Sequence, residues 1–223
     1  AAAADDDAVT FYGTMERNTS WGQTGKVGFY SFTDKGPADE FISLSGTQTE
    51  RLVTGGGAYY DGKFYYINGW SSYISVTNQF RVVDTDTWQT VKAITKSSPT
   101  LTDSYQMAFD YSTMTMYAIC PDYEDNGSLY LRTVNLEDGE FSNVARVSGG
   151  LFTAISFDAD GQLWGITKGS AVQDSQLFKI DKTNGETTLV GDLGYKQKND
   201  YSSSVFDYRT GKLYWAAITF TVN

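Results

Sequence analysis

The chain has 223 residues, of which 40% are hydrophobic and 20% are charged, and its formal net charge at pH 7 is −10. This composition indicates a globular protein and excludes intrinsic disorder, and the length suffices for one all-β domain. The negative charge repels phosphate backbones and anionic lipid surfaces, so we expect no nucleic-acid partner and no direct membrane contact.

The chain contains no histidine. This excludes Ser–His–Asp catalysis, His-assisted cysteine catalysis and any zinc or haem iron bound through histidine. The single cysteine, Cys120, follows an apolar strand, so we predict a buried thiol that is not a nucleophile. Carboxylate pairs for glycoside cleavage are defined by their separation in space, which the sequence does not give. No catalytic residue is therefore assigned.

The N-terminal residues 1–8 begin AAAADDD and read as a flexible leader ahead of a folded domain that spans 9–223. Such a leader is expected where an export signal has been removed, and the alternatives are a cloning remnant or a frayed terminus. Beyond it, apolar and polar residues alternate with a period of two, and no stretch has the spacing of an amphipathic helix. The sequence therefore predicts an all-β fold.

An internal repeat of about 49 residues organises the domain. One hairpin of the repeat is marked by aspartates spaced 48 or 49 residues apart, namely Asp61, Asp110, Asp158 and Asp207. A second hairpin is marked at a similar spacing by Asp34, Asp84, Asn135 and Asp181. Four strands in each unit of this length are typical of β-propeller blades. We interpret the aspartates as turn residues that cap backbone N–H groups, not as ligands.

The repeat divides the chain into three complete blades with a partial blade at each end. The predicted blades are 9–46 (partial), 52–95, 104–148, 151–191 and 202–223 (partial). If 203–206 completes the first blade, the ring closes with four blades, but 212–220 then duplicates the strand at 9–15. Otherwise the chain is part of a ring of six to eight blades. We favour the larger ring because the surplus strand has no other place, and an incomplete ring exposes apolar faces that would drive homo-oligomer formation.

Two segments resemble the blade motif of the YVTN, NHL and quinoprotein-like propellers: FDYRTGKLY at 206–214 and LFKIDKTNG at 177–185. The aromatic-rich sequence and its Ala/Asp leader are also similar to secreted propeller lipoproteins of gut Bacteroidetes, some of which capture nutrients such as siderophores. The resemblance implies an extracytoplasmic protein, in the periplasm or at the outer-membrane surface. Its membrane attachment would be a lipid anchor outside this sequence.

An acidic loop is the one candidate metal site. Asp122, Glu124 and Asp125 supply three carboxylates within a few residues, and Ca²⁺ prefers such oxygen ligands. The alternative is a solvated loop tip. No other cofactor is predicted.

Aromatic residues mark a candidate ligand surface in the loops between second and third strands, which meet at one end of a propeller. Tryptophan and tyrosine on polar loops are amphipathic contact residues that could stack on a sugar, an aromatic chelator or a protein partner. The loops carry Trp21, Trp70, Tyr73 and Tyr123, and linkers between blades at the same end carry Tyr105 and Tyr201. The alternative is that these rings cover blade edges.

These observations favour an exported, non-catalytic binding module for a glycan, a siderophore-like small molecule or a protein partner. The first alternative is a carboxylate-dependent glycan hydrolase or lyase. The second is a structural component of a surface assembly.

Overall fold

The computed structural model of the protein describes residues 8–16, 27–35, 42–44, 54–71, 76–96 and 106–220. Within these ranges the regular structure consists of antiparallel strands and one short 3₁₀ turn at Tyr123–Asp125. The all-β prediction is therefore confirmed. No helix in the described ranges has the length and apolar character needed to cross a membrane.

Five antiparallel sheets follow one another along the described chain, with three, four, four, four and two strands. Blade 1 contains β1 (Thr10–Glu16), β2 (Val27–Thr33) and β3 (Ile42–Ser43). Blade 2 contains β4 (Thr54–Tyr60), β5 (Lys63–Ser71), β6 (Val76–Asp84) and β7 (Gln89–Lys96). Blade 3 contains β8 (Gln106–Asp110), β9 (Thr115–Asp122), β10 (Ser128–Val134) and β11 (Phe141–Arg146). Blade 4 contains β12 (Phe152–Phe157), β13 (Leu163–Thr167), β14 (Gln176–Ile180) and β15 (Thr187–Asp192). Blade 5 contains β16 (Gln197–Asp207) and β17 (Lys212–Thr219).

Three aspartates of the repeat, Asp110, Asp158 and Asp207, cap their hairpin turns, as predicted. The carboxylate of Asp110 accepts a hydrogen bond from the backbone N–H of Ser112 at 2.9 Å. Asp207 accepts the equivalent bond from the N–H of Arg209 at 3.0 Å. Asp61 instead adopts a left-handed conformation with φ of 48°, which aspartate tolerates better than most residues.

Apolar side chains between neighbouring blades form the core. The inner strands β4, β8, β12 and β16 lie side by side in that order. One buried cluster joins blade 2 to blade 3 and includes Phe80 and Phe109. Another joins blade 3 to blade 4 and includes Leu131 and Phe157. Face-to-face packing of successive four-stranded sheets is the propeller arrangement, so the predicted fold is confirmed.

Blade 1 lies between blade 2 and blade 5, and this brings the two ends of the described chain together. The rings of Phe11 in β1 and Tyr214 in β17 meet edge to face at 4.9 Å. On the other side of blade 1, Phe29 contacts Tyr66 of blade 2 at 5.9 Å. The register of β1 with β2 pairs Phe11 with Phe32 and Thr14 with Phe29, which places Phe11 and Phe29 on opposite faces.

The number of blades corrects the sequence prediction. The described residues form a five-bladed propeller, not a closed four-blade ring and not part of a ring of six to eight. The prediction failed because it treated β17 as a duplicate of β1. The two strands belong to separate sheets that pack against each other through Phe11 and Tyr214.

The propeller has two different ends. We call the turn face the end that carries the tight turns between first and second strands and between third and fourth strands. The loop face is the opposite end, which carries the connections between second and third strands and between blades.

Candidate functional site

The predicted aromatic surface on the loop face stays a prediction. Trp21, Tyr73 and Tyr105 lie outside the described residues. Only the backbone is described for the other three, which are Trp70 in β5, Tyr123 in the 3₁₀ turn and Tyr201 in β16.

Two carboxylates of the acidic loop, those of Asp122 and Asp125, are bonded to other residues of the same hairpin. Asp122 accepts a hydrogen bond from the backbone N–H of Glu124 at 3.0 Å and forms an ion pair with Arg132 at 2.7 Å. Asp125 accepts a hydrogen bond from the hydroxyl of Tyr130 at 3.0 Å. Hydrogen bonds from Ser128 and Tyr130 lower the pKa of the Asp125 carboxyl below its ordinary value.

A calcium site in this loop remains a prediction. Within the described part of the chain, no three Asp, Glu, Cys or His side chains are grouped as a metal ion would require.

Arg132 binds the acidic loop to the interior of blade 3. Its guanidinium donates to Asn143 at 2.6 Å and to the sulfur of Cys120 at 3.4 Å, in addition to the ion pair with Asp122. Burial raises the pKa of the Cys120 thiol to about 11, although the nearby Arg132 opposes the shift. The thiol is therefore protonated at neutral pH, and the prediction of a buried cysteine is confirmed.

A buried ion pair joins blades 3 and 4 at the turn face. The ammonium group of Lys182, in the turn between β14 and β15, lies 2.5 Å from the fully buried carboxylate of Asp110. It also donates to the carbonyl of Gly161 at 3.0 Å. Burial alone would raise the pKa of Asp110, but hydrogen bonds from Lys182, Ser112 and Thr113 outweigh it and lower the pKa. The charge of Asp110 is thus compensated within the protein.

Beside this ion pair, aromatic rings from three blades meet at the turn face. Tyr111 packs against Phe109 at 4.9 Å and against Tyr60 of blade 2 at 6.4 Å. It also meets Tyr208 of blade 5 edge to face at 5.8 Å. We call Tyr60, Phe109, Tyr111 and Tyr208 the turn-face aromatic cluster.

The two central tyrosines are anchored through their hydroxyl groups. The hydroxyl of Tyr111 donates to the backbone carbonyl of Tyr59 in blade 2 at 2.6 Å. The hydroxyl of Tyr208 donates to the carbonyl of Phe157 in blade 4 at 3.1 Å. Both side chains still expose a large fraction of their surface, 41% for Tyr111 and 43% for Tyr208. The cluster therefore presents fixed aromatic surface to solvent.

Burial keeps both phenols neutral. Desolvation, followed by the neighbouring tyrosines, raises the pKa of Tyr111 to about 12. Desolvation, followed by the negative charges of Asp110 and Asp158, raises the pKa of Tyr208. Neither hydroxyl can act as a base near neutral pH, so the arrangement suits contact and hydrogen bonding better than proton transfer.

The sequence predicted only a structural role for these turns, so the cluster was not among the predicted sites. A signal was present, because tyrosine directly follows the repeat aspartate in two blades, at Tyr111 and Tyr208, and the pair Tyr59 and Tyr60 precedes it in a third. Large aromatic residues are not needed to form a tight turn. Their recurrence at one position of the repeat could have indicated a surface.

Neither a protein-family profile nor a curated protein matches the sequence. Among solved structures, the gluconolactonase XC5397 from Xanthomonas campestris resembles the chain with a TM-score of 0.52 and 13% sequence identity. The match covers 85% of this chain and 62% of the gluconolactonase, so the chain spans less than two thirds of that protein.

Two other structures match at lower TM-scores. The β-propeller domain of the Trilobed protease from Pyrococcus furiosus has a TM-score of 0.39 and 8% identity, over 70% of this chain and 46% of the other. An alpha-L-arabinanase from Cellvibrio cellulosa has a TM-score of 0.43 and 12% identity, over 94% and 90%. The sheet arrangement and the likeness to the gluconolactonase fold show that the chain is a β-propeller.

Proposed function

We propose that the protein is a binding module whose contact surface is the turn-face aromatic cluster, and that its ligand is an uncharged glycan. One observation carries this proposal. Tyr111 and Tyr208 expose about two fifths of their surface while their hydroxyls are bonded to carbonyls of neighbouring blades. Rings held in this way lose little conformational entropy when a ligand packs on them.

The chemistry around the cluster favours a sugar over other ligands. Aromatic rings stack on the apolar faces of pyranose rings, and polar groups at the rim bind hydroxyls. The hydroxyls of Ser112 and Thr113, in the same turn as Tyr111, donate to Asp110, and their oxygen lone pairs can accept from a sugar hydroxyl. The net charge of −10 disfavours anionic ligands.

An extracytoplasmic location, with attachment through a lipid anchor, is part of the same proposal. Its support is the resemblance to secreted propeller lipoproteins. Fractionation of the native cells, followed by detection of the protein in the membrane and periplasmic fractions, tests it. Recovery in the cytoplasmic fraction alone would disprove it.

The glycan proposal is tested with a panel of neutral oligosaccharides, using calorimetry on the wild type and on Tyr111→Ala and Tyr208→Ala. Each variant should weaken binding about tenfold or more, because stacked aromatics in contact sites contribute about 1–3 kcal/mol. The matched control is Tyr195→Ala, an exposed tyrosine on the loop face that should leave affinity unchanged. If Tyr195→Ala loses binding while Tyr111→Ala and Tyr208→Ala keep it, the site lies on the loop face and the proposal is wrong.

Enzymatic turnover of each compound in the same panel is also measured, because sharing a fold with an enzyme does not define an activity. The panel includes gluconolactone, the substrate suggested by the name of the Xanthomonas protein. Binding without turnover agrees with a binding module. Hydrolysis that a single carboxylate substitution abolishes would show an enzyme instead.

A further inference from the structure

Tyr12 and Trp88 form a second aromatic pair near the turn face. Tyr12 lies in β1 of blade 1, two residues from the end of the strand where Thr10 pairs with Thr33, and Trp88 lies in the turn between β6 and β7 of blade 2. Their rings stack almost parallel, with centroids 5.8 Å apart and 14° between the planes. Tyr12 remains 60% exposed, so one side of the stack is open to solvent. We call these two residues the Tyr12–Trp88 pair.

The pair is supported by the core beneath it. The ring of Trp88 contacts that of Phe29 at 5.4 Å, and Phe29 meets Tyr66 edge to face at 5.9 Å. Both Phe29 and Tyr66 are buried. Trp88 also holds a left-handed backbone conformation, with φ of 55°, which is unfavourable for a residue with a side chain. Because such strain tends to concentrate at functional sites, the pair merits a functional reading.

Hydrogen bonds connect the pair to the turn-face aromatic cluster along the turns of blade 2. Tyr111 donates to the carbonyl of Tyr59, and the hydroxyl of Tyr59 accepts from the backbone N–H of Gly62 at 3.2 Å. The carbonyl of Gly62 accepts from the N–H of Thr85 at 2.9 Å and from its hydroxyl at 2.8 Å. Thr85 belongs to the same turn as Trp88. The two aromatic groups are therefore fixed on one continuous surface.

This surface offers both ring contacts and hydrogen-bonding groups. The side chain of Tyr59 is 52% exposed at the end of β4. Beside Trp88, the side chains of Asp86 and Gln89 are exposed. A carboxylate accepts hydrogen bonds, and an amide both donates and accepts them, so these groups suit the hydroxyls of a sugar.

The distance along blade 2 exceeds the width of one sugar ring. The sheet order is β4, β5, β6 and β7, so the turn that carries Trp88 lies between two and three strand spacings from β4. Neighbouring strands are about 4.8 Å apart, which makes the span about 12 Å. A single sugar cannot contact both aromatic groups, whereas a chain of sugars can.

We propose that the Tyr12–Trp88 pair is a second contact site for the glycan, and that the ligand is therefore an oligosaccharide lying along the turns of blade 2. One end of the chain packs on the turn-face aromatic cluster, and the other end packs on the ring of Tyr12. This inference rests on the proposed function, because it extends the same site. Since the second contact forms within a complex already made, affinity rises with chain length.

Chain length gives the first test. Calorimetry is performed with cello-, malto- and xylo-oligosaccharides, each as a disaccharide and as a hexasaccharide. In the series that binds, the hexasaccharide should bind the wild type about tenfold more tightly than the disaccharide, because only the longer chain reaches both contacts. Equal affinities for the two lengths would overturn the inference.

Substitution of Tyr12 gives the second test. Tyr12→Ala should weaken hexasaccharide binding about tenfold and leave disaccharide binding unchanged, because truncating a contact aromatic removes its share of the affinity. Tyr12→Phe keeps the ring and should bind like the wild type. Tyr195→Ala is the matched control, because Tyr195 is also 60% exposed but lies on the loop face. It should leave both affinities unchanged.

The outcomes separate this inference from the proposed function. If the wild type binds none of the oligosaccharides, or if Tyr111→Ala does not weaken the binding, the glycan function itself is wrong and the second contact site falls with it. If Tyr111→Ala weakens the binding of both lengths while Tyr12→Ala weakens neither, the glycan function stands and only the second contact site is wrong.

Discussion

Met114 of blade 3 and Gly211 of blade 5 occupy the same position in two hairpins of nearly identical sequence. The hairpins read Asp-Tyr-Ser-Thr-Met and Asp-Tyr-Arg-Thr-Gly. Both residues are left-handed, with φ of 55° for Met114 and 68° for Gly211. A side chain makes this conformation unfavourable by about 1–2 kcal/mol, whereas glycine adopts it freely.

Met114→Gly should therefore stabilise the protein by about 0.5–1 kcal/mol. The substitution removes the backbone strain of the folded state, but part of that gain is lost because glycine gives the unfolded chain more conformational entropy. Little packing is lost, because Met114 is 55% exposed. Urea unfolding of the variant and the wild type measures the change. Gly211→Ala serves as the reciprocal control and should destabilise. A lower unfolding free energy for Met114→Gly would show that the methionine makes a compensating contact.

Trp88 also has a left-handed backbone conformation, with φ of 55°, but its side chain packs between two blades. It occupies the third-to-fourth-strand turn of blade 2 at the position of Gly139 in blade 3, and both donate to the carbonyl four residues earlier. A Cβ at Gly139 would lie 2.4 Å from the Phe80 ring, so only glycine fits there. Trp88 instead stacks on Tyr12 at 5.8 Å and contacts Phe29 at 5.4 Å, between blade 2 and the three-stranded blade 1.

Trp88→Gly should consequently destabilise the protein by about 2 kcal/mol, because the lost aromatic packing exceeds the relieved strain. Met114→Gly and Trp88→Gly both place glycine at a left-handed position, but Met114 is exposed whereas Trp88 packs between two blades. Chemical unfolding followed by circular dichroism compares them. If both variants gain stability, Trp88 does not join the blades.

The fold was largely predictable because its signals are local. The aspartate of each hairpin turn bonds to backbone N–H groups within a few residues, as Asp110 does with Ser112, and the repeat of these turns fixes the strand order. Ring closure was not predictable. It rests on the contact between Phe11 and Tyr214, which lie near opposite ends of the chain and share no sequence pattern.

The candidate site was harder to predict, because it depends on which turns converge. Tyr111 and Tyr208 lie in blades that are not adjacent along the chain, yet their rings meet at 5.8 Å. Sequence alone showed that both follow a turn aspartate, but not that the two turns point toward each other. Residue type favoured the tryptophan-containing loops, whereas the exposed rings of Tyr111 and Tyr208, which contact each other, lie on the turn face.

The Asp110–Lys182 pair should stabilise the junction of blades 3 and 4. Lys182→Met leaves the buried carboxylate without its cation and should cost about 3 kcal/mol. The double variant Asp110→Asn/Lys182→Met should lose less than the sum of the two single variants, because neither charge is then left unpaired. A double-mutant cycle from urea unfolding measures the coupling. Additive losses would mean that the pair contributes nothing as a pair.

The same pair predicts an acid-sensitive step. The folded pKa of Asp110 lies below its ordinary value of 3.8, so its contribution to stability is fully present above that pH. The contribution is lost as the pH falls below 3.8 through the folded-state pKa. Asp110→Asn should flatten the loss of stability in this range, while Asp160→Asn, at an exposed turn position, serves as the control for general acid unfolding. Parallel curves for Asp110→Asn and the wild type would refute the linkage.

Tyr111 predicts the opposite behaviour in alkali. Its folded pKa of about 12 lies above the ordinary value of 10.0, so the unfolded chain releases this proton first. The stability that Tyr111 contributes is complete below pH 10.0 and is lost as the pH rises toward about 12. Tyr111→Phe keeps the ring but removes the titration and the bond to the Tyr59 carbonyl.

At neutral pH, Tyr111→Phe should therefore lose about 1 kcal/mol of stability, since a neutral hydrogen bond is removed. Its stability should then fall less steeply than that of the wild type between pH 10 and 12, as measured by urea unfolding at successive pH values. Tyr12→Phe, which changes an exposed hydroxyl elsewhere, controls for the other phenols. Identical alkaline slopes for Tyr111→Phe and the wild type would mean that the Tyr111 hydroxyl is solvated. The ring would then not be held in the orientation that glycan binding requires.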